Sequence, residues 1–373
     1  MAAVIAPAGL SRWHEAVCSV PRHLLVPRWW THDSQDGLWQ VNDGSSDEAG
    51  WLDAAYDPDR TLVTRVGTLH ADHAGPGATA SGWPTSSSTM PHLVLAMYRH
   101  ARLFDGADVL DVGTGSGYGT ALLARRLGDQ HVTSIDVDDY LTAAATCRLA
   151  NAGLHPVIVT CDATGQLPGT YDRIVPMVSL PAIPASWLTA LRPGGRLVFS
   201  LTGGSVLITA GKTPDGGAAG RVEFDRASFM AARHGPGYPP HHAIPEQALT
   251  GDGDATFTSP YPVLDPEWGW ELNAILSMTA PGLVIRSQAD DQTGLRTTWM
   301  AHPDGSWARA TGTGEEPALV HQSGSRRLWN DLDDLRRYWL THGCLPLRGA
   351  HARIDPDGTC HVTQGQWHAT IPA

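Results

Sequence analysis

Two stretches hold side chains that can do chemistry together. Residues 82–92 read GWPTSSSTMPH, with five consecutive hydroxyls from Thr85 to Thr89, no Lys or Arg among them, and Pro91 ahead of an apolar run. Residues 110–119 read LDVGTGSGYG, with Asp111 followed by glycine at positions 113, 115 and 117. Glycine at alternate positions lets the main chain turn sharply and lets a ligand touch it. The dinucleotide fingerprint is G-x-G-x-x-G. Here Tyr118 stands at its last glycine, so the loop suits a ligand without a pyrophosphate, whose amino-acid end lies across it.

Acidic residues follow at the ends of the next two apolar runs. Asp136 closes HVTSID about 20 residues past the loop, where a carboxylate accepts from ribose hydroxyls. Asp162 follows VIVTC, within reach of an adenine amino group. The helix start after the loop favours a carboxylate, and Asp111 can orient an ammonium. A ligand with carboxylate, ammonium, ribose and adenine is S-adenosylmethionine. The expected cofactor-binding set is Asp111, Gly113, Thr114, Gly115, Ser116, Gly117, Asp136, Val137, Asp162 and Ala163. The rival is a doubly wound fold that binds NAD, and Asp162 alone also fits a helix cap.

Methyl transfer from a sulfonium is an in-line displacement that needs alignment and electrostatics but no metal. An alcohol or amine acceptor calls for a general base. A carboxylate acceptor is already ionised at pH 7 and calls for none. Neutral donors can hold one of its oxygens without quenching the other, as an Arg clamp would in the ground state. Ser88 and Thr89 are therefore the expected catalytic hydroxyls, with Ser87, Met90 and His92 as substrate-binding neighbours. The bland alternative is a Ser/Thr helix cap beside a loop.

Composition narrows the partners. The chain has 373 residues, 42% of them hydrophobic, which favours two units at roughly 100–200 residues per domain. Its 26 Lys and Arg against 38 Asp and Glu give a net charge of −12, unsuited to nucleic acid. The five scattered cysteines form no CxxC pair, and the N-terminus lacks a basic, apolar leader pattern, so a reduced, cytoplasmic protein is expected. No apolar run is long enough to cross a bilayer. No His/Cys spacing suggests a metal; His241-His242 in a proline-rich junction and Cys360-His361 in a hairpin read as packing or polar turns.

The elements that must hold these residues follow from periodicity. Residues 31–60 are polar with Trp39, Trp51 and Tyr56 as anchors, and 70–88 read as a long loop. Pro91 suits the first turn of a helix to about His100. From Val109 onward, strand and helix patterns alternate through a fifth strand after PGG (193–195), predicting a parallel sheet with right-handed crossovers. SVLITAGK (205–212) and GRVEFDR (220–226) fit antiparallel edge strands. The expected fold is a doubly wound α/β methyltransferase sheet with a C-terminal α+β domain. Its expected divisions are an N-terminal cap (1–75), a cofactor-binding core (76–234) and a substrate-recognition domain (235–373). In the last, 325–343 reads as a helix burying Leu328, Trp329, Leu332, Leu335 and Trp339, and 351–363 as a hairpin at Asp357-Gly358. Trp39, Trp51 and Trp83 flank the expected acceptor side.

SVPRHLLVP (19–27), AAYDPDRTLV (54–63), TSSSTMPH (85–92), VLDVGTGSGYGTALLA, IDV and YDRIV…LRPGGRLVF occur in one order. That order resembles the protein-L-isoaspartate O-methyltransferases over roughly residues 10–210. Counted from Pro91, the resemblance puts the family's active hydroxyl at Thr89, where the family usually has Ser, with Ser88 beside it. Residues 64–82 look longer than the family's loop, and 235–373 has no counterpart in the compact repair enzyme. The chain is similar to extended actinobacterial enzymes that modify aspartate in ribosomal peptides of the lanthipeptide, lasso peptide and graspetide kinds. That resemblance implies a cyclised precursor peptide as partner and an aspartimide, then isoaspartate, as product. General isoaspartate repair is the alternative, and a small-molecule O-methyltransferase or a fold that has lost its chemistry are the others.

Overall fold

The computed structural model describes residues 1–235, 243–266 and 269–373. The His241-His242 pair lies outside the described residues. The N-terminal part starts with helices α1 (Ala2–Ile5), α2 (His14–Ser19) and α3 (Arg22–Leu25). It continues with a six-stranded antiparallel sheet: β1 (Arg28–His32), β2 (Trp39–Asp43), β3 (Leu62–Val66), β4 (Leu69–His70), β5 (Thr79–Ala80) and β6 (Pro84–Ser88), with α4 (Glu48–Tyr56) between β2 and β3. The hydroxyl run expected in a loop is therefore strand β6, paired with β3 in the register Leu62 to Ser88 and Val63 to Ser87. The pairing carries the sheet past residue 75, so the expected cap ends inside a sheet.

Helix α5 (Pro91–Ala101) begins at Pro91, whose missing N–H costs nothing in a first turn, and ends at Arg102 in the left-handed region (φ 51°). Then come β7 (Val109–Val112), α6 (Tyr118–Leu127), β8 (Val132–Asp136), α7 (Asp139–Asn151), β9 (Val157–Thr160), β10 (Tyr171–Pro176), β11 (Ser179–Leu180), α8 (Ala185–Ala190) and β12 (Leu191–Leu201). Strands β9, β8, β7, β10 and β12 lie side by side and parallel. Every residue of β7 is buried, as both faces of a parallel sheet are covered by helices. The Pro193-Gly194-Gly195 stop is a bulge inside β12, not a break before it: Tyr171 pairs with Leu191 and Arg173 with Arg196.

Antiparallel β13 (Val206–Lys212) and β14 (Ala218–Arg226) extend this sheet beyond β12. They are not its edge. Beyond α9 (Glu246–Thr250), β15 (Ala255–Thr258), α10 (Trp270–Thr279), β16 (Val284–Ala289), β17 (Leu295–Ala301), β18 (Trp307–Thr313) and β19 (Leu319–Ser323) make a separate five-stranded antiparallel sheet. Helix α11 (Leu328–His342) buries Leu328, Trp329 and Leu332 against it and stops at Gly343 (φ 74°). Trp339, expected on the buried side, is 52% exposed; it follows Trp329 by ten residues, nearly three turns on, after the apolar stripe has drifted. The chain then returns, and β20 (His351–Ile354), β21 (Cys360–Gln364) and β22 (Trp367–Ile371) join the main sheet through β14. The stretch 235–373 thus contributes both a sheet of its own and three strands of the central one. Leu347, Ala350, Ala352, Ile354, Cys360 and Val362 share one core with Leu110 and Ile174.

Candidate active site

The strand order reverses between β7 and β10, and ligands of open α/β sheets sit at such a switch point, beyond the carboxyl ends. There the structure has a cavity of about 520 Å³. Its floor is the glycine loop after β7. Gly113 and Gly115 have φ of +93° and +50°, and added Cβ atoms would stand 3.0 Å from Val178 Cγ1 and 3.2 Å from the Ser87 carbonyl oxygen. Only glycine allows β6 to come this close to the loop. Gly113, Gly115, Asp136, Val137 and Ala163 line the cavity, as do Ser87, Thr89 and Met90 from the opposite wall. The hydroxyls of Ser87 and Thr89 have no hydrogen-bond partner among the described residues.

Other expected residues sit elsewhere. Ser88 faces away from the cavity: a strand sends successive side chains to opposite sides, and the Ser88 hydroxyl accepts from Arg22 Nε at 3.4 Å. Thr114, Ser116 and Asp111 line a recess of about 20 Å³ that adjoins the cavity through Ser87, Thr89 and Gly113 and that Ser88 also borders. Thr114 bonds Ser134, and Gly117 (φ +83°) starts α6. Asp162 points to the outside, accepting from the Thr164 N–H and hydroxyl and meeting His234 at 3.1 Å; Cys161 and Ala163 face the cavity in its place. It makes an Asx turn in a half-buried segment, with its neighbours on either side turned inward. His92 is also outside, on the exposed first turn of α5, 3.1 Å from Asp59. Of the three tryptophans, Trp83 lines the mouth and is 65% exposed, while Trp39 and Trp51 donate to the Gly82 and Val26 carbonyls.

The carboxylates differ by environment. Asp111 is fully buried, which raises its pKa to about 6 against the pull of hydrogen bonds from Thr120 (2.7 Å) and Ser134 (3.0 Å). Its Oδ1 has no partner among the described residues. Burial also raises Asp136, whose two oxygens accept the Gly115 and Asp138 N–H groups at 2.9 and 3.1 Å. Burial acts to raise Asp138 as well, but the His70 hydrogen bond and charge, the Leu141 N–H and Arg65 outweigh it and bring it to about 2.

Sequence reading missed the other wall. Residues 228–233, after β14, close the cavity, and Arg233 is nine-tenths buried there. Its Nη2 lies 3.7 Å from Asp138, and its Nη1 has no hydrogen-bond partner among the described residues. Arg65 of β3 shares Asp138 at 3.8 Å. A cation therefore does reach the cavity, on the Asp136 side. No local pattern announces it, because ASFMAARHG carries neither a glycine loop nor a regular period.

Residues 79–221 match the model of the family described as Protein-L-isoaspartate(D-aspartate) O-methyltransferase. The matched segment contains β6, the glycine loop and Asp136, and excludes the N-terminal helices and the third sheet. A Protein-L-isoaspartate O-methyltransferase of Ignicoccus hospitalis is 35% identical over 133 residues, 34% of this chain and 63% of that one. Its namesake from Pyrococcus horikoshii is 38% identical over 113 residues, 29% of this chain and 50% of that one. The chain thus spans 50% to 63% of these two relatives. A solved structure titled protein-L-isoaspartate O-methyltransferase superposes with a TM-score of 0.53 at 15% identity, covering 97% of this chain and 98% of that one. At that identity the likeness is one of fold. It extends over nearly the whole of both chains, so the C-terminal stretch has a fold counterpart in that structure. No described helix is long and apolar enough to cross a membrane.

Proposed function

We propose that the chain is an S-adenosylmethionine-dependent carboxyl O-methyltransferase acting on isoaspartyl residues of peptides or proteins. The observation that carries this reading is the chemistry of one cavity wall. The glycine loop, Asp136 and the free hydroxyls of Ser87 and Thr89 face the same space; among the described residues its wall has no His, Lys or Glu, and its one carboxylate, Asp136, already accepts two main-chain N–H groups. An alcohol or amine acceptor would need such a base; a carboxylate does not. The volume suits a small-molecule ligand, and the close fit of Gly115 against the Ser87 carbonyl and the unpartnered Asp111 Oδ1 suit an amino-acid end lying on the loop.

When bound, S-adenosylmethionine supplies a methyl group already activated on a sulfonium. Asp136 would accept from ribose hydroxyls, and Asp111 would face the ammonium directly or through one water. Thr89 and Ser87 would each donate a hydrogen bond to one acceptor oxygen, leaving the other oriented to form the O–CH3 bond as the S–CH3 bond breaks. No proton has to move. Residues 228–233 and Trp83 would exclude water and border the peptide. The methyl ester formed is then open to attack by the following amide nitrogen, which expels methanol and gives a succinimide.

An aspartyl side chain in a ring-constrained ribosomal peptide is the second acceptor class, and the added mass at the C-terminus is the feature that would favour it. A solved structure sharing this fold over 97% of the chain has comparable mass, so that mass does not select between acceptors. The test is transfer of a labelled methyl group from S-adenosylmethionine to three peptides: linear isoaspartyl, its linear aspartyl twin and a cyclic aspartyl form. Label is expected in the isoaspartyl peptide. Label in the cyclic peptide alone, or in none, overturns the reading.

A pH dependence follows from Asp111. Its pKa of about 6 in the free protein means that it is protonated below that pH, whereas an ammonium ligand favours the carboxylate. Affinity for S-adenosylhomocysteine is therefore expected to rise as pH increases to about 6 and then level off. Below the turn the slope approaches about tenfold per pH unit. Calorimetric titrations between pH 5 and 7.5 check this, and Asp111→Asn should flatten the curve.

A further inference from the structure

The hydroxyl strand carries no cation of its own, yet one lies directly behind it. Arg22, in the first turn of α3, has 0% relative exposure. Its guanidinium donates to the carbonyls of Ser88 (3.1 Å), Thr89 (3.3 Å), Arg60 (2.9 Å) and Ala55 (2.9 Å), and to the Ser88 hydroxyl (3.4 Å). It lies 5.3 Å from the centre of the Tyr118 ring, at the start of the helix that follows the glycine loop. It forms no ion pair among the described residues; Tyr118 and, at longer range, Asp57 favour its charge, and Arg60 opposes it. Burial lowers its pKa to about 10, so it stays charged at neutral pH. A buried cation whose hydrogen bonds all end on neutral oxygens is costly, and its field is largely unscreened.

The geometry points to Arg22 as a positioning residue for methyl transfer: it fixes the Ser88–Thr89 main chain so that the Thr89 hydroxyl meets the acceptor, and its charge draws the acceptor carboxylate to a cradle of neutral hydroxyls. Thr89 enters the cavity one residue after Ser88 turns its back on it, so the two adjacent carbonyls held by one guanidinium Nη2 set the direction of the hydroxyl between cavity and core. This resolves the lack of Lys and Arg in TSSST. Direct contact with Arg would tie up the nucleophilic oxygen, whereas a cation one layer back attracts the anion without bonding to it. The N-terminal helices thereby become part of the acceptor site without lining it.

The inference rests on the proposed carboxyl methyltransfer and is tested with two variants of the full chain. Arg22→Lys keeps the charge but cannot span four carbonyls with a planar fork. It should leave KM for an isoaspartyl peptide within about threefold and lower kcat on the order of 10- to 100-fold. Arg22→Gln removes the charge too, and should raise that KM by about tenfold or more in addition. In both, the Kd of S-adenosylhomocysteine should stay within about threefold, since none of the hydrogen bonds of Arg22 reaches the glycine loop or Asp136. Should Arg22→Gln fail to fold, the kcat and KM of Arg22→Lys still decide the positioning claim. Unchanged kcat in Arg22→Lys overturns it, as does a loss that lowers cofactor affinity by the same factor, the mark of general destabilisation. Wild-type chain without isoaspartyl turnover overturns the functional reading and this inference together; turnover with an unaffected Arg22→Lys overturns the inference alone.

Discussion

Thr89→Val is expected to lower kcat/KM for an isoaspartyl peptide by about 10- to 100-fold while leaving the fold intact. Valine keeps the volume and β-branch of threonine and removes only the hydroxyl. That hydroxyl has no hydrogen-bond partner among the described residues, so folding loses little. In the proposed complex it donates to a carboxylate oxygen, and a hydrogen bond to a charged group contributes about 1.5–3 kcal/mol. With the geometry fixed beforehand, most of that appears in the transition state. Thr89→Ser keeps the hydroxyl and should retain most activity. Ser88→Ala gives the comparison that separates two neighbours with opposite surroundings. Its hydroxyl meets Arg22 in the core, so its loss should be felt first in stability, with kcat/KM within about tenfold of wild type. Steady-state kinetics and a thermal melt on the three variants check this. A larger kinetic loss in Ser88→Ala than in Thr89→Val would refute the assignment of Thr89.

Asp136→Ala should weaken S-adenosylhomocysteine binding by on the order of 10²- to 10³-fold, the largest effect anticipated for cofactor affinity. Asp136 acts on both sides of the loop. Its Oδ2 already accepts the Gly115 N–H and its Oδ1 the Asp138 N–H, so the side chain pins the loop to the start of α7. Asp136 also lines the cavity, where ribose hydroxyls would donate to its oxygens. Removing the carboxylate loses the ligand contacts and loosens the surface that presents them; two charge-assisted bonds at about 1.5–2 kcal/mol each, the lower part of the usual span, correspond to the range given. Asp138 cannot take over, because His70, Arg65, Arg233 and the Leu141 N–H already occupy it. Isothermal titration compares the variant with wild type. Affinity within tenfold of wild type would remove Asp136 from the cofactor site.

Much of this architecture is written locally. VLDV, VTSID, VIVT and YDRIVP are short apolar runs bounded by turn residues, with helices between them that start at Asp138 and stop at Gly128 or Gly153. Patterns of this kind depend on neighbours a few residues apart, so the succession of strands and helices and the place of the glycine loop were legible before any coordinates. The acids at the ends of β7 and β8 came with them. The row of five hydroxyls was legible as chemistry but not as structure. Only its pairing with β3, some 25 residues earlier in the chain, makes it a strand and divides Ser88 from Ser87 and Thr89.

What tertiary structure decided is which groups meet across the sheet. Asp162 stands at the right position in sequence, yet an Asx turn to Thr164 turns it outward. Arg22, Arg65 and Arg233 come from three distant segments that show no motif in common, and all three converge on the cavity wall or the layer behind it. Strands β20 to β22 join the central sheet after an excursion of over a hundred residues, so a boundary drawn from local composition could not see them. Local propensity and period set each element; burial of charge and the matching of exposed strand edges are properties of the assembled chain, and they fixed where the cations and the last three strands went.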